Sequence, residues 1–272
     1  MTLVNIEKAS FSYGTGHIFK DLSLKVNKGE ICCLLGPNGC GKTTLLDCIL
    51  GTLQLKTGRI LINNKETKGM KPGQRARQIA YVPQRHEHTF PYTVLEIAMM
   101  GRAAYISMFS SPSEVDKKIA EEALEMVGMT GFRNRPYTQL SGGEGQMVMI
   151  ARALAQKTPL IIMDEPTAHL DFHNELLILE TMSDLVKDFG LSIIMATHAP
   201  NHALYFENKG ISASAALMHQ GCFLAHGSPR DVLYEQSIKT LYNINTKVVS
   251  FDIDKDETRT QIIPIGTDRL QP

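Results

Sequence analysis

Gly36-Pro37-Asn38-Gly39-Cys40-Gly41-Lys42-Thr43 fits the pattern G-x-x-x-x-G-K-[ST]. The run in front of it, Ile31–Leu35, is short and wholly apolar, as a buried parallel strand is. The stretch after it, Thr43–Leu50, reads as a helix. Strand, loop and helix in that order are the context the pattern needs. Glycines let backbone N–H groups converge on the phosphates of a nucleotide, and the helix N-terminus adds partial positive charge. Lys42 can neutralise β- and γ-phosphate oxygens, and the Thr43 hydroxyl can ligate Mg2+.

Two further apolar runs, Leu160–Met163 and Ile193–Ala196, match Ile31–Leu35 in length and character. Their recurrence with helices predicts an α/β sheet that binds ligands beyond the carboxyl ends of its strands. Leu160–Met163 runs straight into Asp164 and Glu165. An acid placed there can hold Mg2+ or its waters, and its neighbour can take a proton from an attacking water. Leu140-Ser141-Gly142-Gly143-Glu144 lies ahead of that strand and opens a helical pattern, Gln146–Ala155. This is a second helix N-terminus suited to an anion. One nucleotide needs one phosphate loop, so the second device points to a nucleotide carried by another subunit.

Around this centre the pattern changes. Leu3, Ile6, Phe11 and Tyr13, then Leu22, Leu24 and Val26, alternate as half-buried antiparallel strands do, with Gly14 and Gly16 marking the turn. Residues 58–62 form another strand of this layer, ended by Asn63 and Asn64. Residues of about 85–157 hold no long strand and read as a helical insertion. Within it Ser111 is expected as a helix cap, Pro112 as the first helical residue and Glu114 as the partner reaching back. Val115, Ile119, Ala123 and Val127 then recur at helical spacing, and Gly128 stops the helix. In the tail, Val248, Phe251 and Ile253 suggest a strand, and the charged stretch 252–259 reads as a solvated loop.

Composition narrows the classes. Of 272 residues, 28 are Lys or Arg and 28 Asp or Glu, so bulk charge does not hold the chain to nucleic acid or anionic lipid. No apolar run approaches the roughly 20 residues that span a bilayer. The stretch MTLVNIEKAS lacks the basic and apolar regions of a signal peptide, which predicts a soluble, cytosolic chain. The five cysteines form no C-x-x-C pair. Cys32 and Cys33 read as core. Cys40 is either a redox-sensitive thiol in the phosphate loop or a tolerated small residue.

With the phosphate loop, Leu140–Glu144 and the paired acids in this order, the chain resembles the nucleotide-binding subunit of an ATP-binding cassette (ABC) transporter. The likeness covers about residues 1–235. It implies an α/β P-loop cassette at 1–240, with a mixed core sheet, an antiparallel N-terminal layer and the helical insertion, followed by an extension at 241–272. It implies that the loop, from Gly36 through Thr44, binds ATP, and that Tyr13 stacks on adenine. It implies that Gln84 touches Mg2+ and the attacking water, as do Thr43 and Asp164 for the metal. Glu165 is the implied general base, His198 the γ-phosphate contact and Asp171 the acid that crosses a dimer interface. Two copies would pair head to tail, with Ser141, Gly142, Gly143 and Glu144 of one closing on the ATP of the other. The remaining histidines, including His86, His88, His202 and His219, are expected in surface or core roles. Departures from the family pattern are Gly145 just after the signature pentapeptide Leu140–Glu144, Ala199 after His198, and Thr43 in place of serine.

Residues 91–102 and the tail 241–249 are similar to metal-chelate importers, which carry iron–siderophore, haem or cobalamin cargo. That resemblance implies two membrane permease subunits, an external binding protein and a place on the cytoplasmic face of the membrane. Residues around Val94, Ile97 and Met100 either dock the permease or pack inside the insertion. An exporter or lipoprotein-release cassette stays open, as does a soluble ATPase outside transport. A nucleic-acid partner is not expected, given the neutral charge.

Overall fold

The structure is a computed structural model that describes residues 1–84, 91–107, 110–254 and 257–267. The chain divides into two compact units, Met1–Lys68 with Ser183–Pro272, and Gly69–Met182. The first unit begins with β1 (Thr2–Phe11), β2 (Phe19–Asn27), β3 (Ile31–Leu35), α1 (Lys42–Leu50), β4 (Thr57–Ile62) and β5 (Lys65–Glu66). The second holds α2 (Pro72–Ala76), β6 (Ile79–Val82), α3 (Val94–Met99), α4 (Glu114–Met126), α5 (Gly142–Ala155) and β7 (Leu160–Asp164). Helix α6 (Phe172–Phe189) starts in the second unit and ends in the first. The first unit then closes with β8 (Ser192–Thr197), α7 (Asn201–Asn208), β9 (Ala213–His219), β10 (Cys222–Gly227), α8 (Pro229–Val232), α9 (Glu235–Tyr242), β11 (Ile244–Asp254) and β12 (Glu257–Thr267).

In the first unit β3 is flanked on both sides by parallel strands, β8 and β9, and β10 adds to β9 in antiparallel register. All five β3 residues are fully buried, which is why its sequence is a continuous apolar run without alternation. Each such Ile or Leu contributes about 1.5–3 kcal/mol by burial. The antiparallel layer runs β2-β1-β4-β5, as the alternating pattern predicts. Asn63 and Asn64 both take positive φ in the β4–β5 turn, a conformation asparagine tolerates well. Gly58 also has positive φ, and a Cβ there would collide with the Lys8 carbonyl oxygen of β1.

In the second unit β6 and β7 pair in parallel, Ile79 opposite Leu160 and Val82 opposite Met163. Helices α3 and α4 pack on α5, whose Met147, Val148, Ile150 and Ala151 are buried. Gly101 lets the turn after α3 touch α5, since a Cβ would run into the Arg152 carbonyl oxygen. Arg102 follows, donates 2.8 Å to the Ala155 carbonyl at the end of α5 and pairs with Asp116 at 3.0 Å. Val94 and Ile97 are buried within this unit, so of the suggested docking residues only Met100, 43% exposed, reaches the surface.

Two expectations shift. The cap of α4 is Ser113, not Ser111: Asp116 reaches back to the Ser113 N–H and hydroxyl, and Arg102 fixes Asp116 there. Pro112 therefore precedes the helix. The charged stretch in the tail is not a loop. Asp252, Asp254, Glu257 and Arg259 lie in the β11–β12 hairpin, while residues 255 and 256 fall outside the described ones. Val248 faces Ile262 across the hairpin. The outer edge of β12 is held by α7. Asn201 donates 3.0 Å to the Ile262 carbonyl and accepts 2.8 Å from its N–H. Asn208 treats Thr260 the same way at 2.9 and 3.1 Å.

Candidate active site

The sequence-predicted residues fall into two sets, one on each unit. On the first unit, β3 delivers the chain into the glycine loop. Gly36 packs so close to β9 that a Cβ would collide with the Met218 carbonyl oxygen. Gly39 and Gly41 have φ of 79° and 105°, open to glycine at no cost. Gly41 caps α1, whose first turn holds no acid, so the helix presents its N-terminus unopposed by negative charge. Lys42 is buried and curls over the loop, its Nζ donating to the Gly36 carbonyl at 2.7 Å and the Pro37 carbonyl at 3.3 Å. Asn38, Gly39 and Thr43 are exposed, and Thr44 is half-buried. Cys40 is buried, and that burial pushes its thiol above the ordinary range. This favours the reading of a tolerated small residue over a reactive thiolate.

Tyr13 stands beyond β1 and is 68% exposed, its ring edge-on to Phe11 at 4.9 Å. Its place is therefore not in the core. His198 is exposed just past β8. The turn that carries it is tied by Thr197, whose Oγ1 accepts from the Ala199 N–H at 3.1 Å and lies 2.9 Å from His202 Nδ1. Of the surface and core roles left open for it, buried His202 takes the core one. His86 and His88 lie outside the described residues.

On the second unit the β6–β7 register does the positioning. Val82 sits opposite Met163, so the residues two further along, Gln84 and Glu165, emerge side by side. Gln84 Nε2 donates to Glu165 Oε2 at 3.2 Å. Glu165 has φ of 46°, a left-handed conformation that costs a residue with a Cβ about 1–2 kcal/mol. Such stored strain clusters at functional sites. Asp164 is buried at the strand end.

Ser141 caps α5. Glu144 turns back on it: its Oε2 accepts from the Ser141 N–H at 2.7 Å, and its own N–H donates to Ser141 Oγ at 3.3 Å. Those contacts, with Arg135 at 3.9 Å, hold the Glu144 carboxyl below the usual range. The last residue of the signature is therefore occupied in shaping its first turn. Asp171 accepts from the Asn174 N–H at 2.8 Å at the start of α6. Asn174 escaped the reading of the sequence. The one local signal for it is its place three residues after an acid that opens a helix.

A glycine loop between a buried parallel strand and a helix, with a lysine folded over it, defines a P-loop nucleotide-binding protein. The comparisons narrow this. The family model described as ABC transporter matches residues 19–168. A "Probable iron chelatin transport ATP-binding protein" of Helicobacter pylori is 38% identical over 255 residues, covering 91% of this chain and 98% of its own. The "Iron(3+)-hydroxamate import ATP-binding protein FhuC" of Bacillus subtilis is 34% identical over 250 residues, covering 92% and 91%. A solved ABC transporter described as metal-chelate type, in an inward-facing conformation, superposes with a TM-score of 0.85 at 31% identity, covering 97% of each chain. The cassette MJ0796, solved as a dimer in a post-hydrolysis state with ADP and Pi, superposes with a TM-score of 0.70 at 26% identity, covering 84% of this chain and 99% of that one. The chain belongs to the ABC transporter family, and within it is one of the ATP-hydrolysing subunits.

Proposed function

We propose that this chain hydrolyses ATP to power uptake of a metal chelate through a membrane permease. The observation that carries the hydrolytic part is the pairing of Gln84 with Glu165 at the ends of two parallel strands. The cargo rests on the relatives named for iron chelatin transport and iron(3+)-hydroxamate import. Gly36 through Thr44 hold the phosphates, and Lys42 exchanges its two loop carbonyls for phosphate oxygens. Tyr13 offers a free ring face for the adenine. Glu165 takes the proton of the attacking water, while His198 steadies the γ-phosphate. The work is positioning and electrostatics, as in phosphoryl transfer generally.

Thr43, Gln84 and Asp164 would hold Mg2+. Hydroxyl, amide and carboxylate oxygens are the donor set a hard cation prefers. Gln84 spends its amide nitrogen on Glu165, which leaves the amide oxygen as the atom offered to a cation. The ion supplies charge neutralisation at the β- and γ-phosphates.

In this reading two copies close head to tail on two ATP molecules, each offering Ser141–Glu144 and Asp171 to the other's nucleotide. Among the described residues no helix is long and apolar enough to cross a membrane. The chain would sit on the cytoplasmic face of the membrane against two permease subunits, served by an external binding protein.

The test is light scattering and phosphate release on purified Glu165→Gln. With MgATP the variant should form a stable dimer and lose about a hundredfold or more in turnover. Normal turnover would remove Glu165 as the base.

A further inference from the structure

Asn174 sits where two of the proposed ATP-contacting segments meet. Its side-chain amide nitrogen lies 3.0 Å from both carboxylate oxygens of Asp171. Its backbone N–H adds a third bond to the same group, at 2.8 Å. The other end of the carboxamide rests on the signature: a Cβ on Gly143 would collide with the Asn174 side chain. The second glycine of the signature thus leaves the room that the Asn174 side chain occupies. Behind the contact lies a cavity of about 440 Å3 lined by Met126, Met129, Phe132 and Met147 among others. On that side, the contact is not backed by close-packed core.

We propose that Asn174 is a positioning residue that couples the signature turn to Asp171. A bond from a neutral amide to a carboxylate is charge-assisted and fixes its direction. A shift of the Gly143 backbone pushes the carboxamide, and the carboxamide carries the Asp171 carboxylate with it. Closure of the signature on a nucleotide therefore orients Asp171 in the same step. The proposal rests on the reading that Asp171 acts in a nucleotide-bound dimer.

The test is a double-mutant cycle on the full chain, with Asp171→Ala, Asn174→Ala, Asn174→Asp and Asp171→Ala/Asn174→Ala. Steady-state MgATP hydrolysis gives kcat and KM, binding of ATP gives Kd, and thermal unfolding checks the fold. Asn174→Asp is isosteric, keeps the packing on Gly143, and places an acid in the first turn of a helix, where it is favourable. It removes only the donors and sets a second carboxylate against Asp171. The expected result is a fall in kcat of about tenfold or more for Asn174→Asp, with ATP Kd unchanged. The double variant should be no slower than Asp171→Ala alone. Wild-type kcat in both Asn174 variants, or losses that simply multiply in the double variant, would overturn the coupling while leaving Asp171 in place. An Asp171→Ala variant with wild-type kcat would instead remove the reading beneath it, and the proposal with it.

Discussion

Two side chains carry the account at the scale of single residues. Lys42 is buried and its ammonium donates to the Gly36 and Pro37 carbonyls, so it helps to shape the loop. Lys42→Ala removes both the shape and the charge. Bonds to charged groups are worth about 1.5–3 kcal/mol, so titration calorimetry with ATP should show a Kd weakened about tenfold or more. An unchanged Kd would sink the assignment. Glu165 differs in kind. Its left-handed backbone is invisible in the sequence, which announces only that an acid follows a strand. The cysteines give a second test. Burial pushes the thiols of Cys32 and Cys48 up to about 12 and raises those of Cys33 and Cys40, whereas Cys222 is exposed. Titration of the folded protein with a disulfide reagent at neutral pH should label Cys222 first and spare the other four until the chain unfolds. Early labelling of Cys40 would restore the redox reading.

Elements show where local sequence suffices and where it does not. β3 and its loop were legible because every cue is contiguous: an apolar run, glycines, a lysine and a helix. The antiparallel layer was legible through alternation and its Asn–Asn turn. The start of α4 was misplaced by two residues because Ser111 and Ser113 both carry an acid three residues on. The choice falls to Arg102, a residue from another element that holds Asp116. That network also sets a pH dependence. The Ser113 hydroxyl and N–H, then Arg102, bring the Asp116 carboxyl down from 3.8 to about 2. A depressed pKa stabilises the fold above the unfolded value and loses that contribution as pH falls through the folded one. Wild-type protein should therefore melt above Asp116→Asn at pH 7, with the gap closing as pH drops toward 2. A gap independent of pH would contradict the network. Gly101 gives the packing counterpart. Adding a methyl against the Arg152 carbonyl should destabilise Gly101→Ala by about 1–3 kcal/mol, read by urea unfolding. The β11–β12 hairpin was only half legible. One strand showed its apolar residues, but the charged stretch 252–259 hid its end and the start of the other, which Asn201 and Asn208 hold from a helix far back in the chain.

At the scale of the molecule, the two units divide the proposed chemistry between them. One supplies the phosphate loop, Tyr13 and His198, and the other Gln84, the paired acids, Asp171 and the signature. In the proposed dimer ATP favours the closed state because it touches both copies only there. The motifs told this much because phosphate chemistry is conducted by local backbone. Cargo was legible only through resemblance, because no residue of a cassette need touch it. The deciding measurement is an affinity isolation of tagged Glu165→Gln protein from native membranes in mild detergent with MgATP. Co-purifying chains are identified by mass spectrometry and bound metal by elemental analysis. The account predicts a multi-span permease in good yield, recovered with the dimer. Recovery with soluble partners alone, at comparable yield, would contradict it and place the chain among ATPases that do not transport.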